Sequence, residues 1–206
     1  MLYSPLNDFL QAYQRAWQPL PQTEHDEDGP ALVRRNEDGI ALWQAAQQIP
    51  TQDFANVAEA LALTLHEDVG HFYGQWYAGS LYFQAAFGRG ELLQVWNDDD
   101  RQRLQQNLIG HLLMKRKLKQ APTIFLGVLG EGEEMIVLDN DSGSIWLEIP
   151  GERPHQQLAP TLRQFFQQLT PRPHTVVAPI IEAPLPVLSL RARFASMWRV
   201  LWPWRR

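Results

Sequence analysis

The stretch ELLQVWNDDDRQRLQQNLIGHLLMKRKLKQAPTIFLGVL, residues 91–129, decides the fold. Its pattern predicts a strand over residues 92–96, a helix that opens at Asn97 and runs to about residue 118, and a strand over residues 123–129. Asn97 is a good N-cap, Asp98, Asp99 and Asp100 fill the first turn, and Lys115, Arg116, Lys117 and Lys119 close the last. Carboxylates at the positive end of a helix and cations at its negative end both stabilise it. Leu104, Leu108, Ile109, Leu112 and Leu113 recur at three and four residues, which predicts one core-facing stripe with arginines and glutamines outside it.

Upstream, Ser4-Pro5 is a cap and first-turn pair, and Leu6, Phe9, Leu10, Tyr13 and Trp17 predict a helix over residues 5–17. Pro19, Pro21 and the acidic run Glu24, Asp26, Glu27 and Asp28 predict a solvated loop. Residues 31–35 and 40–44 flank Asn36-Glu37-Asp38-Gly39, a hairpin composition. Phe54, Val57, Ala58, Leu61 and Leu65 predict a helix over residues 53–65, with a shorter helical piece within 66–76. Gly88-Arg89-Gly90 reads as a turn between strands at 81–87 and 91–96.

Downstream, runs at 123–129, 134–138 and 144–149 are separated by Gly130-Glu131-Gly132 and Asn140-Asp141-Ser142-Gly143, which predicts an antiparallel meander. Leu158, Leu162, Phe165, Phe166 and Leu169 predict a last helix. Hairpins outnumber possible crossover units, so the expected class is α+β, a largely antiparallel sheet with packed helices. Residues 1–170 form the expected domain. Five prolines between Pro171 and Pro186 predict a linker over 171–187, and Leu190, Phe194, Met197, Trp198 and Leu201 predict an amphipathic helix within 188–206.

The absence of cysteine excludes disulfides, thiolate metal sites and cysteine nucleophiles. The N-terminus lacks the basic and apolar regions of a secretory signal, and no apolar run reaches the roughly 18–20 residues of a spanning helix, so a cytoplasmic location is expected. The net charge of −5 conceals an asymmetry: residues 1–170 hold 12 Lys plus Arg against 22 Asp plus Glu, and residues 171–206 hold 6 against 1. An acidic body disfavours nucleic acid and favours a basic partner, while a basic aromatic tail suits an anionic surface.

Motifs of catalysis are weak. His66-Glu67-Asp68-Val69-Gly70-His71 misses the zinc-protease spacing by one residue, which turns the second histidine about 40° from its place. Solvated loop or helix-end residues are the better reading, and no metal or cofactor is expected. The glycine pairs lack the lysine-serine of a phosphate loop, and Ser142 and Ser144 lack a nucleophile-elbow setting. An aspartate run at a helix start has a structural job first.

The run YAGSLYFQAAFGRGELLQVWNDDDRQRLQQNLIGHLLMKRKLKQAPTIFLGVL resembles the Syd family, bacterial proteins that interact with the translocon subunit SecY. The likeness spans roughly residues 55–169, with a weaker echo before it. Syd-like proteins are similar to the SMI1/KNR4-type mixed α/β domains. The resemblance implies a non-enzymatic protein, peripheral on the cytoplasmic side of the inner membrane, that meets basic cytoplasmic loops of SecY through an acidic groove and regulates or quality-controls the translocase. No small-molecule substrate is implied. Acids within the matching region with the best claim to that groove are Asp98, Asp99 and Asp100, then Glu67, Asp68 and Glu91. The tail goes beyond the family pattern: Phe194, Trp198, Arg199, Trp202, Trp204, Arg205 and Arg206 suit an anionic membrane surface, or a helix docked on protein. An immunity-type module that neutralises a toxin is the alternative, since domains of this superfamily often do so, and a hydrolase using the acids is a third reading.

Overall fold

The computed structural model describes residues 4–130 and 134–176. Helix α1 (Ser4–Ala16) buries Pro5, Leu6, Phe9, Leu10 and Tyr13, the three-four stripe of its sequence. Strands β1 (Gln22–Thr23), β2 (Leu32–Arg35) and β3 (Ala41–Trp43) form a small antiparallel sheet in the order β1-β3-β2. The hairpin turn is set by Asn36, whose Oδ1 accepts from the amides of Asp38 and Ile40 at 3.0 and 2.8 Å, with Gly39 at φ 79°. The predicted solvated loop therefore contains a strand, and Pro21 and Thr23 are buried in it.

Strand β4 (Ala46–Gln47), helices α2 (Ala55–Leu61) and α3 (Glu67–Tyr73), and strand β5 (Trp76–Tyr77) follow, with β4 antiparallel to β5. Helix α2 stops four residues before the predicted end. Ala62 turns left-handed at φ 47°, and its N–H closes on Ala58 O and Glu59 O. Strands β6 (Leu81–Ala85) and β7 (Gly88–Leu92), helix α4 (Asp98–Lys117), strands β8 (Thr123–Leu129), β9 (Met135–Asp139), β10 (Ile145–Glu148) and β11 (Gln156–Ala159), helix α5 (Leu162–Gln167) and strand β12 (Thr170–Pro171) complete the body. The large sheet is antiparallel in the order β11-β10-β9-β8-β7-β6-β12. The class is α+β, as the hairpin count predicts.

Strand β8 is the centre, buried at six of its seven positions, which is why TIFLGVL reads as an unbroken apolar run rather than an alternation. Three local readings change. Ala85 pairs with Gly88, so the β6–β7 turn is Ala86-Phe87 and the glycines lie in the strand. A Cβ at Gly90 would stand 2.5 Å from Phe83 Cζ and 2.6 Å from Val128 O, so close packing, not a turn, requires glycine. Strand β7 ends at Leu92, and the expected 92–96 run leaves it for a parallel bridge between Tyr77 and Val95. Leu158 lies in β11, and the last helix starts only at Leu162, where Thr161 Oγ1 accepts from the Gln164 amide at 3.2 Å.

The buried face of α4 is also rotated from the predicted stripe. Leu108, His111, Leu112 and Lys115 are buried, whereas Leu113 is 48% exposed and Ile109 half-buried. The cause is the 108-111-112-115 spacing, which carries two polar residues onto the sheet where partners await them. After β12, the Arg172 amide donates to Tyr82 O at 3.0 Å and the Val176 amide to Gln22 Oε1 at 3.0 Å, so residues 171–176 lie along the β6 edge and reach β1. The rest of the expected linker and the 188–206 helix lie outside the described residues.

Candidate functional site, an acidic interaction surface

The first turn of α4 forms as its sequence dictates. Asn97 Oδ1 accepts from the Asp100 amide at 2.8 Å, and Asp100 Oδ2 accepts from the Trp96 amide at 3.0 Å. Asp98 accepts from the Tyr77 hydroxyl and pairs with Arg101 at 3.1 Å, yet its side chain stays 71% exposed. Asp99 is exposed and Asp100 half-buried.

A second acidic segment arrives from far away in sequence. Asn97 Nδ2 donates to Asp28 O at 3.0 Å, and Trp96 Nε1 donates to Glu27 O at 2.9 Å. The Glu27 carboxylate meets Arg103 at 3.4 Å. His25 stacks on the Trp96 indole with centroids 4.8 Å apart and 9° between planes. Arg35 gathers the loop by donating to the carbonyls of His25, Asp26 and Glu27 and pairing with Asp28 at 3.2 Å. Asp26, Glu27 and Asp28 thus join Asp98, Asp99 and Asp100 around Trp96 and Asn97, while Glu24 acts on Tyr82 of β6.

Arg35, Arg101 and Arg103 pair within this group of six carboxylates and do not neutralise it. Net negative charge of this kind attracts cationic chains. Burial against Trp96 holds the His25 imidazole below its ordinary pKa, against the upward pull of Asp100, Asp26 and Glu27. Glu91 is mid-strand in β7, directly across from Tyr82 on β6 and Val128 on β8. The Tyr82 phenol is pushed up by burial first and then by Glu91 and Glu24, which places the acidic loop within electrostatic reach of the β6–β7 hairpin.

Glu67 and Asp68 stand apart from this surface. They start α3, where His66 Nδ1 caps the Asp68 amide at 3.2 Å and His71 meets the Asp68 carboxylate at 3.0 Å. The His66 amide donates to Asn140 Oδ1, and Asn140 in turn donates to Pro122 O, beyond the C-terminal end of α4. These acids are thus linked to the chain that follows α4, whereas Asp98 stands at the start of that helix. His66 and His71 are thus helix-end residues with local partners. Phe194, Trp198, Arg199, Trp202, Trp204, Arg205 and Arg206 lie outside the described residues.

Sequence reasoning passed over two groups. The loop acids were legible as a charge run, but not their neighbour 70 residues away. The other group is enclosed: Lys115 Nζ donates to Glu148 Oε2 at 2.9 Å, Thr123 Oγ1 donates to the same oxygen at 2.9 Å, and His111 Nε2 lies 3.0 Å from Thr123 Oγ1. Burial, then Lys115, pushes His111 down to about 4, and burial pushes Glu148 up against the stabilising contacts of Lys115 and Thr123. With the Lys115 and Glu148 side chains at most 1% exposed, the group ties α4 to β8 and β10 rather than meeting a substrate. The signal was Lys115, one heptad beyond Leu108 on the buried stripe.

Among the described residues, none form a cluster of three or more metal-ligand side chains, and no helix is long and apolar enough to cross a membrane.

The family profile described as Syd protein (SUKH-2) matches residues 3–171. The chain is 43% identical over 203 residues to "Protein Syd" of Shewanella denitrificans, covering 95% of this chain and 93% of that one. It is 50% identical over 162 residues to "Protein Syd" of Shewanella loihica, covering 77% and 73%. A third, from Shewanella baltica strain OS155, is 44% identical over 207 residues, covering 95% and 94%.

Proposed function

This chain belongs to the Syd family, and on that premise we propose that it binds SecY and acts, without catalysis, to regulate or quality-control the protein translocase. The observation that carries the reading is the joining of residues 25–28 to the first turn of α4, which brings Asp26, Glu27 and Asp28 beside Asp98, Asp99 and Asp100. Basic cytoplasmic loops of SecY are the ligand such a surface suits. Long-range attraction speeds the encounter, and direct pairing to exposed Asp28, Asp98 and Glu27 fixes it. Glu91 extends the surface over the β6–β7 hairpin, whereas Glu67 and Asp68, linked to the chain that follows α4, contribute little.

The tail supplies a second contact. Phe194, Trp198, Trp202 and Trp204, with Arg199, Arg205 and Arg206, form a Trp/Arg-rich segment suited to the anionic inner face of the membrane, where it raises the local concentration of the body beside SecY. Titration of the full chain with a synthetic SecY-loop peptide tests the interface: affinity falls steeply with salt and with Asp98→Asn/Asp99→Asn/Asp100→Asn. Salt-independent binding, or tight capture of a basic toxin with no affinity for SecY, contradicts it.

A further inference from the structure

Tyr82, Glu91 and Val128 form a row across β6, β7 and β8, each directly opposite the next and therefore on the same face of the sheet. Tyr82 remains half-buried. Arg172, on the segment that follows β12, sets its guanidinium carbon 5.7 Å from the centre of its ring, and the His174 ring lies against that ring at 4.3 Å with 35° between planes. The guanidinium is incompletely satisfied: Arg172 Nε is buried without a hydrogen-bond partner.

The segment is held by few main-chain bonds. Its two-residue strand pairs with β6, the Arg172 amide donates to Tyr82 O, and the Val176 amide donates to the Gln22 side chain. It lies on the sheet edge, where opening costs least. Gln22 is two residues from Glu24, the start of the acidic loop.

We propose that Tyr82 and Glu91 form a receptor for an arginine side chain of the basic partner, and that Arg172 occupies this receptor in the free protein as a built-in competitor. The inference rests on the SecY-loop reading and adds its specificity. An aromatic face beside a carboxylate selects a planar guanidinium, which stacks and pairs at once, over a compact ammonium. The partner's arginine displaces Arg172, the edge segment loosens, and the Tyr82–Glu91 face becomes available.

The test uses the full chain and a SecY-loop peptide, with an otherwise identical peptide in which lysine replaces arginine. Arg172→Ala raises affinity for the arginine peptide about five- to tenfold, and more than for the lysine peptide. Arg163→Ala, which removes the same charge from α5, leaves affinity within about twofold. Adding Glu91→Gln to Arg172→Ala cancels the gain. In the wild-type protein the Arg172 Nε–H resonance shifts on titration with the midpoint of binding. An unchanged or weakened affinity in Arg172→Ala, or a resonance that stays still while the peptide saturates, overturns the proposal. If the wild type binds and Arg172 does not respond, this inference alone falls; if neither wild type nor Arg172→Ala binds either peptide, the SecY-loop reading falls with it.

Discussion

The Nζ of Lys115 lies 2.9 Å from Oε2 of Glu148, with both side chains withdrawn from solvent. The pair joins the C-terminal half of α4 to β10, while the acids Asp98, Asp99 and Asp100 ride on the other end of the same helix. Removing one partner strands a buried charge. Lys115→Ala should cost about 3–5 kcal/mol of stability, whereas Lys115→Met with Glu148→Leu should be near neutral or stabilising. Urea unfolding of the three proteins checks this, and equal losses in the single and double variants would contradict it.

His111 gives stability a pH dependence of defined sign. Its folded pKa, about 4, is below the ordinary 6.5, so the unfolded chain takes up a proton that the folded protein refuses. The contribution is complete above pH 6.5 and is lost as pH falls toward 4, on the order of 3 kcal/mol. Glu148 has the opposite sign, because its raised pKa favours the folded state where its carboxyl is protonated. His111→Gln should flatten the slope between pH 6.5 and 4 in denaturant titrations.

Gly90→Ala should destabilise by about 1–3 kcal/mol, since the added carbon meets Phe83 Cζ at 2.5 Å and a Val128 carbonyl that cannot retreat without breaking the β7–β8 register. Thermal unfolding measures it. A turn glycine would tolerate alanine or fail only through its φ angle.

Asn97→Ala removes both the α4 cap and the link to Asp28 O. A loss of about 1 kcal/mol is expected from the cap. Peptide affinity should fall further than that stability loss explains, because the acidic loop is no longer tied to Asp98. Asn97→Ser keeps a capping oxygen without the Nδ2 donor to Asp28 and adds no charge, so it should restore stability but not affinity.

The parts of the fold that local chemistry controls were legible in the sequence. Asn97, the three aspartates and the closing cations define α4 within a residue, and Asn36-Glu37-Asp38-Gly39 defines its hairpin. Failures occurred where a distant neighbour decides. Gly88-Arg89-Gly90 looks like a turn because the packing of Phe83 on Gly90 is invisible locally. Lys115 looks like an exposed helix-end cation because Glu148 is 33 residues away. The same limit applies to the acidic surface: the α4 aspartates and the solvated acidic run are each legible, but not that Trp96 and Arg35 draw the run to the helix start.

Recovery of the full chain with membranes that carry normal or excess SecY, washed at low and high salt, tests the central claim most directly. The account predicts recovery that rises with SecY, falls at high salt, and drops when Glu27 and Asp28 are neutralised together with Asp98, Asp99 and Asp100. Recovery indifferent to SecY, or unchanged by neutralising both segments, would contradict it.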